Sequence, residues 1–256
     1  MVVMMLTGCR STKKTSEMAL PSRHSVRSEK LLVMSDFPLP RKHELIENLI
    51  ALRKEITSTL NLPKQQEEVI VYLFRNEAEY RSYLNSIYPD LPPRRAYFVG
   101  TSTELAVYTF WGDRIQEDLR HEYTHGLLHA SLKHVPLWLD EGLAEYFEVP
   151  KNSRGINNDH ASRLPKRLKN GWQPNLQRLE SLEEFSKMKR TDYQEAWGWV
   201  HFMLQTSPSS QEALLGYLQD LRNTKTPPRI STRLRQNTPQ IEQRITTHLA
   251  GLKTIR

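Results

Sequence analysis

Residues 121–125 read HEYTH, and residues 136–146 read PLWLDEGLAEY. Around the first stretch Ile115, Leu119, Tyr123, Leu127 and Leu128 recur at helical spacing, so a helix is expected over about 113–133. On such a helix His121 and His125 lie one turn apart on one face, where both imidazoles can reach a single metal ion at ~2.0–2.1 Å. Glu122 points to the adjacent side of the helix, toward the place of a water on that metal, and suits a base that takes the water's proton. Turning two histidines and a glutamate inward is costly unless something compensates them, and a metal does so.

Fifteen residues separate His125 from Glu141. With HEYTH, the segment Trp138, Leu139, Asp140, Glu141, Gly142, Leu143, Ala144, Glu145, Tyr146 resembles the gluzincin (peptidase MA-like) zinc metallopeptidases, and above all uncharacterised bacterial HExxH proteins. The likeness covers roughly residues 95–206. It implies one zinc ion, with His121 and His125 joined by Glu141 as third ligand and a position left for water. Glu145, one turn beyond Glu141, would accept a hydrogen bond from the outer nitrogen of a ligand histidine, His121 by this match. The plainer reading of Glu145 is a surface acid. Gly142 would let its helix approach the motif helix closely. Tyr193, which opens the helical segment YQEAWGWVHFML, matches the tyrosine that stabilises the oxyanion in the aminopeptidase branch; a tyrosine packing on the core is an equal alternative. The implied activity is peptide-bond hydrolysis by activated water with Glu122 as general base. The Gly-x-Met-Glu-Asn segment that grips a free N-terminus is missing from the strand over 104–111, so exopeptidase activity is not implied; the loop between the two motif helices is shorter than in that branch, which bears on substrate range and not on metal binding. A catalytically inactive zincin-like binding protein of the envelope is the alternative.

Upstream, Leu31–Ser35, Val69–Phe74, 96–100 and 104–111 read as strands, the last two as a hairpin or neighbouring sheet strands. The resemblance implies a sheet-edge strand along the cleft that pairs with an extended substrate, and the strand over 104–111 is expected to be that edge. Leu45, Leu49, Leu52, Ile56 and Leu60 define a helix ended near Pro63, and a second short helix is expected over 77–87. Beyond Asp113 the signals are helical, over about 113–133, 137–148, 176–188, 192–206, 210–222 and 238–252, with 151–158 (KNSRGINN) the clearest loop. The fold class is α+β: an N-terminal mixed-sheet lobe with helices, then an all-helical C-terminal lobe, with the zinc site in the cleft between. His129, four residues after His125, could extend the histidine stripe, but it and His134 read more simply as polar packing; His43, His160, His201 and His248 have no partner pattern, and Trp197 and Trp199 read as core.

With 38% hydrophobic and 25% charged residues, the chain is neither fibrous nor disordered in composition. No internal apolar run approaches the ~18 residues needed to span a bilayer. The apolar run Val2–Leu6 followed by Thr7, Gly8 and Cys9 resembles a bacterial lipoprotein signal, which implies lipidation of Cys9, the only cysteine. Residues 1–9 are therefore read as a signal segment and the Ser- and Lys/Arg-rich residues 10–30 as a flexible tether. Residues 31–222 form the zincin-like domain and 223–256 a basic helical extension. From Arg222 onward eight Lys/Arg face Glu242 alone, an excess equal to the whole chain's +7. That tail lacks the interleaved aromatics of a nucleic-acid surface and reads as a solvated helix face. The expected setting is the bacterial cell envelope, the domain lipid-anchored to a membrane on its periplasmic or extracellular face, with a peptide or protein as substrate and no nucleic acid.

Overall fold

A computed structural model describes residues 19–64 and 67–255; Cys9 and the expected signal segment lie outside the described residues. The chain divides into two units, the first ending at Ser131 and the second, apart from Ser58–Asn61, beginning at Leu132.

The first unit is built on a five-stranded sheet in the order β1-β2-β3-β5-β4, with β1 His24–Ser28, β2 Leu31–Ser35, β3 Val69–Phe74, β4 Ala96–Gly100 and β5 Leu105–Phe110. β2, β3 and β5 run parallel, whereas β1 and β4 join as antiparallel edges. In register Val33 faces Val71 and Val71 faces Val107, so branched side chains line one face in a row. The opposite face carries Tyr72, Phe74, Tyr97 and Tyr108, covered by Tyr80, Tyr83 and Leu84 of helix α2 (Glu77–Ile87). Asn76 starts α2 by accepting a hydrogen bond from the Glu79 amide at 3.0 Å. Helix α1 (Glu44–Thr59) buries Leu45, Leu49, Leu52 and Ile56, the stripe expected from their spacing. It runs beside α3 (Ile115–His129), where Arg120 of α3 meets Asn48 and Glu55 of α1.

α3 packs on β3, β4 and β5. A Cβ at Gly126 would lie 2.7 Å from a Val69 methyl, so it is the missing side chain here that seats α3 on the sheet.

The second unit is helical: α4 Leu137–Phe147, α5 Asn158–Lys169, α6 Leu176–Glu180, α7 Arg190–Gln205, α8 Pro208–Asn223, α9 Ile230–Asn237 and α10 Ile241–Ala250. α7 is its hub, in contact with α4, α5, α6, α8 and α10. Among the described residues no helix is long and apolar enough to cross a membrane.

Four expectations need correction. The tether over 10–30 does not extend through 24–28, because β1 pairs there with β2 and buries Val26. The 104–111 stretch is not an edge, since β5 is hydrogen-bonded on both sides and β4 is the edge strand. Gly142 does not serve an approach to the motif helix: its absent Cβ would sit 2.7 Å from the Ala196 carbonyl oxygen, so it seats α4 on α7. Finally, 223–256 is no separate extension, because α10 packs against α5 and α7.

Candidate metal centre

HEYTH lies on α3, where the expected helix is present. His125 is wholly buried, Glu122 is 5% exposed and His121 is half-buried. The two imidazole rings stand 5.0 Å apart, the geometry of one helical turn with both rings on one face. Phe98 of β4 stacks beside the His125 ring at 6.2 Å and limits its rotation.

Glu122 is held by main chain. Its Oε2 accepts a hydrogen bond from the Phe98 backbone N–H at 2.8 Å. A charge-assisted bond of this kind fixes the carboxylate's direction. Because the donor is a peptide group on the edge strand, fold rather than residue choice supplies it. The phenol of Tyr97 on the same strand is pushed up to about 12, first by burial and to a smaller extent by the Glu122 charge. It therefore stays a neutral group at physiological pH.

In the second unit Glu141 lies on α4 and is wholly buried, beside the equally buried Asp140. Glu145, one turn on, is held by side chains. Its Oε2 meets His160 Nε2 at 2.8 Å and accepts from Asn157 Nδ2 at 3.2 Å. The same Asn157 amide donates to Glu148 Oε1 at 2.7 Å. Asn157 is also the N-cap of α5, its Oδ1 accepting from the amides of Asp159 and His160. So the start of α5 fixes Glu145, and the ring of His160 packs edge-on against Trp197 at 5.3 Å. Sequence reasoning missed both partners. The available signal was Asn157 followed by Asp159 ahead of an amphipathic stretch, a helix start placed where a loop was expected.

Tyr193 is half-buried in the first turn of α7, not at its first residue, with Phe185 edge-on at 6.4 Å. That turn is anchored by Arg178, which binds Asp192 at 2.8 Å and Glu195 at 2.7 Å. Glu195 is 1% exposed, and burial raises its carboxyl above the usual range, partly offset by the Asn175 amide and Arg178.

By donor chemistry two imidazoles and one carboxylate suit zinc, and His121 and His125 of α3 supply the two imidazoles.

Compared with known proteins, residues 117–228 match a family model described as a protein of unknown function (DUF1570). No curated protein sequence matches the chain. Among solved structures the chain is similar to a two-domain M1 zinc metallopeptidase mutant bound to L-tryptophan, at 16% identity and a TM-score of 0.50, over 92% of this chain and 52% of that one. It is also similar to a mutant M1 zinc metallopeptidase from Deinococcus radiodurans bound to a Tyr-Ser-Ala substrate, at 15% identity and a TM-score of 0.47, over 92% and 52% of the two chains. The chain thus spans about half the length of these enzymes. At such identity the likeness is one of fold alone, and the α+β fold of this chain resembles about half of the first of these structures.

Proposed function

We propose that the protein is a zinc-dependent peptidase in which His121 and His125 of the first unit and Glu141 of the second bind one zinc ion, with Glu122 as general base. The observation that carries this reading is on α3. Two histidine rings 5.0 Å apart share the helix with a carboxylate already oriented by the Phe98 amide. When bound, zinc would polarise the scissile carbonyl and acidify water toward a pKa of ~7. Glu122 takes the proton of the attacking water and passes it to the leaving amine. With one oxygen tied to the edge strand, the carboxylate keeps its direction while the proton moves. Glu145, steadied by His160 and Asn157, holds the outer nitrogen of His121 and so fixes its tautomer. Tyr193 donates its phenol proton in a hydrogen bond to the carbonyl oxygen as charge develops there. An extended substrate adds to the sheet along β4.

The test is Glu122→Gln. Zinc content should stay at one ion per chain while cleavage of unfolded protein substrates falls by about 10²–10⁴-fold. A variant as active as the parent would sink the role given to Glu122. Retained zinc with no cleavage by the parent protein would favour the non-catalytic binding reading.

In the same reading the enzyme is an endopeptidase anchored through lipidated Cys9 to a membrane of a bacterial envelope. Metabolic labelling with a fatty acid should mark the parent chain and leave Cys9→Ser unlabelled.

A further inference from the structure

The parallel strands β2, β3 and β5 are neighbours in the sheet, so their carboxyl ends lie side by side. Phe37, Pro38 and Leu39 follow the end of β2, Arg75 is the residue after β3 and Trp111 the residue after β5. The Trp111 amide donates to the Phe74 carbonyl at 3.0 Å and keeps the last two of these ends together. With His43, the residue before α1, these residues line an open pocket of about 270 Å³. In open sheets the carboxyl ends of parallel strands are where ligands bind.

The walls are held in place. Trp111 is 42% exposed, and its ring is met edge-on by Phe37 at 5.4 Å and by His43 at 5.7 Å. The His43 ring is fixed in turn, because its Nδ1 accepts from the Leu45 amide at 3.2 Å at the start of α1. Arg75 brings the charge. Its Nη2 donates to the Asp36 carbonyl at 3.0 Å, which sets the guanidinium against the loop that carries Phe37. That acceptor is a main-chain oxygen, and among the described residues Arg75 makes no ion pair. The nearest acids in sequence, Asp36 and Asp113, do not line the pocket.

A cation without a counter-charge beside aromatic and aliphatic walls selects an anion with an apolar body. A bare phosphate would leave the rings unused, and a neutral ring would leave the guanidinium without a charged acceptor. A carboxylate matches the planar fork of an arginine. Size sets a further limit, since a cavity of about 150 Å³ in an engineered apolar core holds benzene, and this pocket has room for one ring and a short acidic arm.

We propose that this pocket is a binding site for a small aromatic carboxylate, its ring against Trp111 and Phe37 and its carboxylate on Arg75. It lies within the sheet unit and does not depend on the peptidase reading. A free aromatic acid and a chain ending in an aromatic residue share this chemistry.

The experiment uses the full chain labelled with nitrogen-15 and follows its indole N–H signals. Phenylacetate should shift the Trp111 signal saturably while the other indoles stay in place, the signal being assigned by its loss in Trp111→Phe. Phenylacetamide, nearly the same shape without the charge, and acetate, the charge without the ring, should each bind at least about tenfold more weakly. Arg75→Gln should bring phenylacetate and phenylacetamide to equal affinity. Acetylphenylalanine separates the two sources: tighter binding than phenylacetate assigns the site to a chain terminus, weaker binding to a free acid. Absence of a saturable Trp111 shift, equal binding of acid and amide by the parent, an undiminished preference for the acid in Arg75→Gln, or a shift common to all indoles would each overturn the proposal. If either variant fails to fold, phenylacetate, phenylacetamide and acetate on the parent protein still decide it.

Discussion

α3 and α4 carry the residues of the proposed centre, and each is supported in a different way. α3 rests on a sheet, its glycine seated on the Val69 methyl groups and its acid fixed by a main-chain amide of β4. α4 rests on another helix, its glycine seated on a main-chain carbonyl of α7 and its second acid fixed by the side chains of Asn157 and His160. The difference bears on robustness. A peptide donor survives any substitution that leaves the strand in place, whereas a side-chain donor is lost with one codon. Where backbone meets methyl groups a rotamer or a small shift can relieve crowding, but where backbone meets backbone a helix must move.

The largest expected effect tests whether both helices matter to the metal. His125→Ala and Glu141→Ala should each weaken zinc binding on the order of 10³-fold, beyond the roughly 10–100-fold that partners outside the ligand set are worth. Competition against a chelator measures it. If Glu141→Ala holds zinc like the parent, α4 supplies no ligand and the comparison loses half its content.

Next come the two glycines. Alanine gains up to about 1 kcal/mol in helix propensity at either site. At Gly142 that gain is outweighed by a Cβ pressed to 2.7 Å from the Ala196 oxygen, and overpacking costs about 1–3 kcal/mol. Gly142→Ala should therefore destabilise by about 2 kcal/mol, and Gly126→Ala, against the buried side chain of Val69 and not against backbone, by less, about 1 kcal/mol. Denaturant unfolding of both variants checks the order, and the reverse order would break the distinction drawn between the two seats.

These contrasts also explain what could be read in advance. HEYTH was legible because motif and 3.6-residue apolar period coincide on α3, and β2, α1, β3, α2, β4 and β5 were legible because each buries a full stripe or run. β1 was not, because its five residues bury Val26 alone and its composition is that of a linker. α5 was hidden by Pro165 within it and by the Asn- and Gly-containing turn before it. The helix expected over 176–188 stops at Glu180, where Ser181 ends it, and resumes only as a short turn at Phe185–Lys187. No local pattern could pair Glu145 with His160 or seat Gly142 on α7, because those are decisions of tertiary packing. Nor could it tell which strand of the β4–β5 hairpin faces outward, both being apolar throughout.

A smaller effect is expected at His160. His160→Leu keeps an apolar filler against Trp197 but removes a partner of the Glu145 carboxylate, and hydrogen bonds to charged groups contribute about 1.5–3 kcal/mol. With Asn157 still in place the loss should sit near the lower figure, about 1.5 kcal/mol. His160→Gln, which can donate in the same direction, should recover part of it in thermal unfolding. If Leu and Gln are equally harmful, the ring's packing and not its bond to Glu145 is what α5 contributes.

The last effect separates the two units by acidity and is shared between two histidines. His201 of α7 and His248 of α10 are joined Nδ1 to Nε2 at 2.9 Å, enclosed by the rings of Tyr146, Trp197 and Phe202. Burial first, and then the neighbouring His248, push His201 down to about 3, and burial pushes His248 down to about 4. Both folded-state values lie below the ~6.5 of an unfolded histidine, so on acidification the unfolded chain takes up protons first. The pair's contribution is complete above about pH 6.5 and is lost as pH falls from there toward 3–4. At pH 5.5 this amounts to about 1.4 kcal/mol for each histidine. Amide exchange on chelator-treated protein, with ligand titration thereby removed, should show α7 and α10 loosening between pH 7.5 and 5.5 before α3 does. The double variant His201→Phe with His248→Phe should flatten that slope. Equal slopes in parent and variant, or α3 opening first, would mean that the sheet unit and not the helical one is the acid-sensitive half.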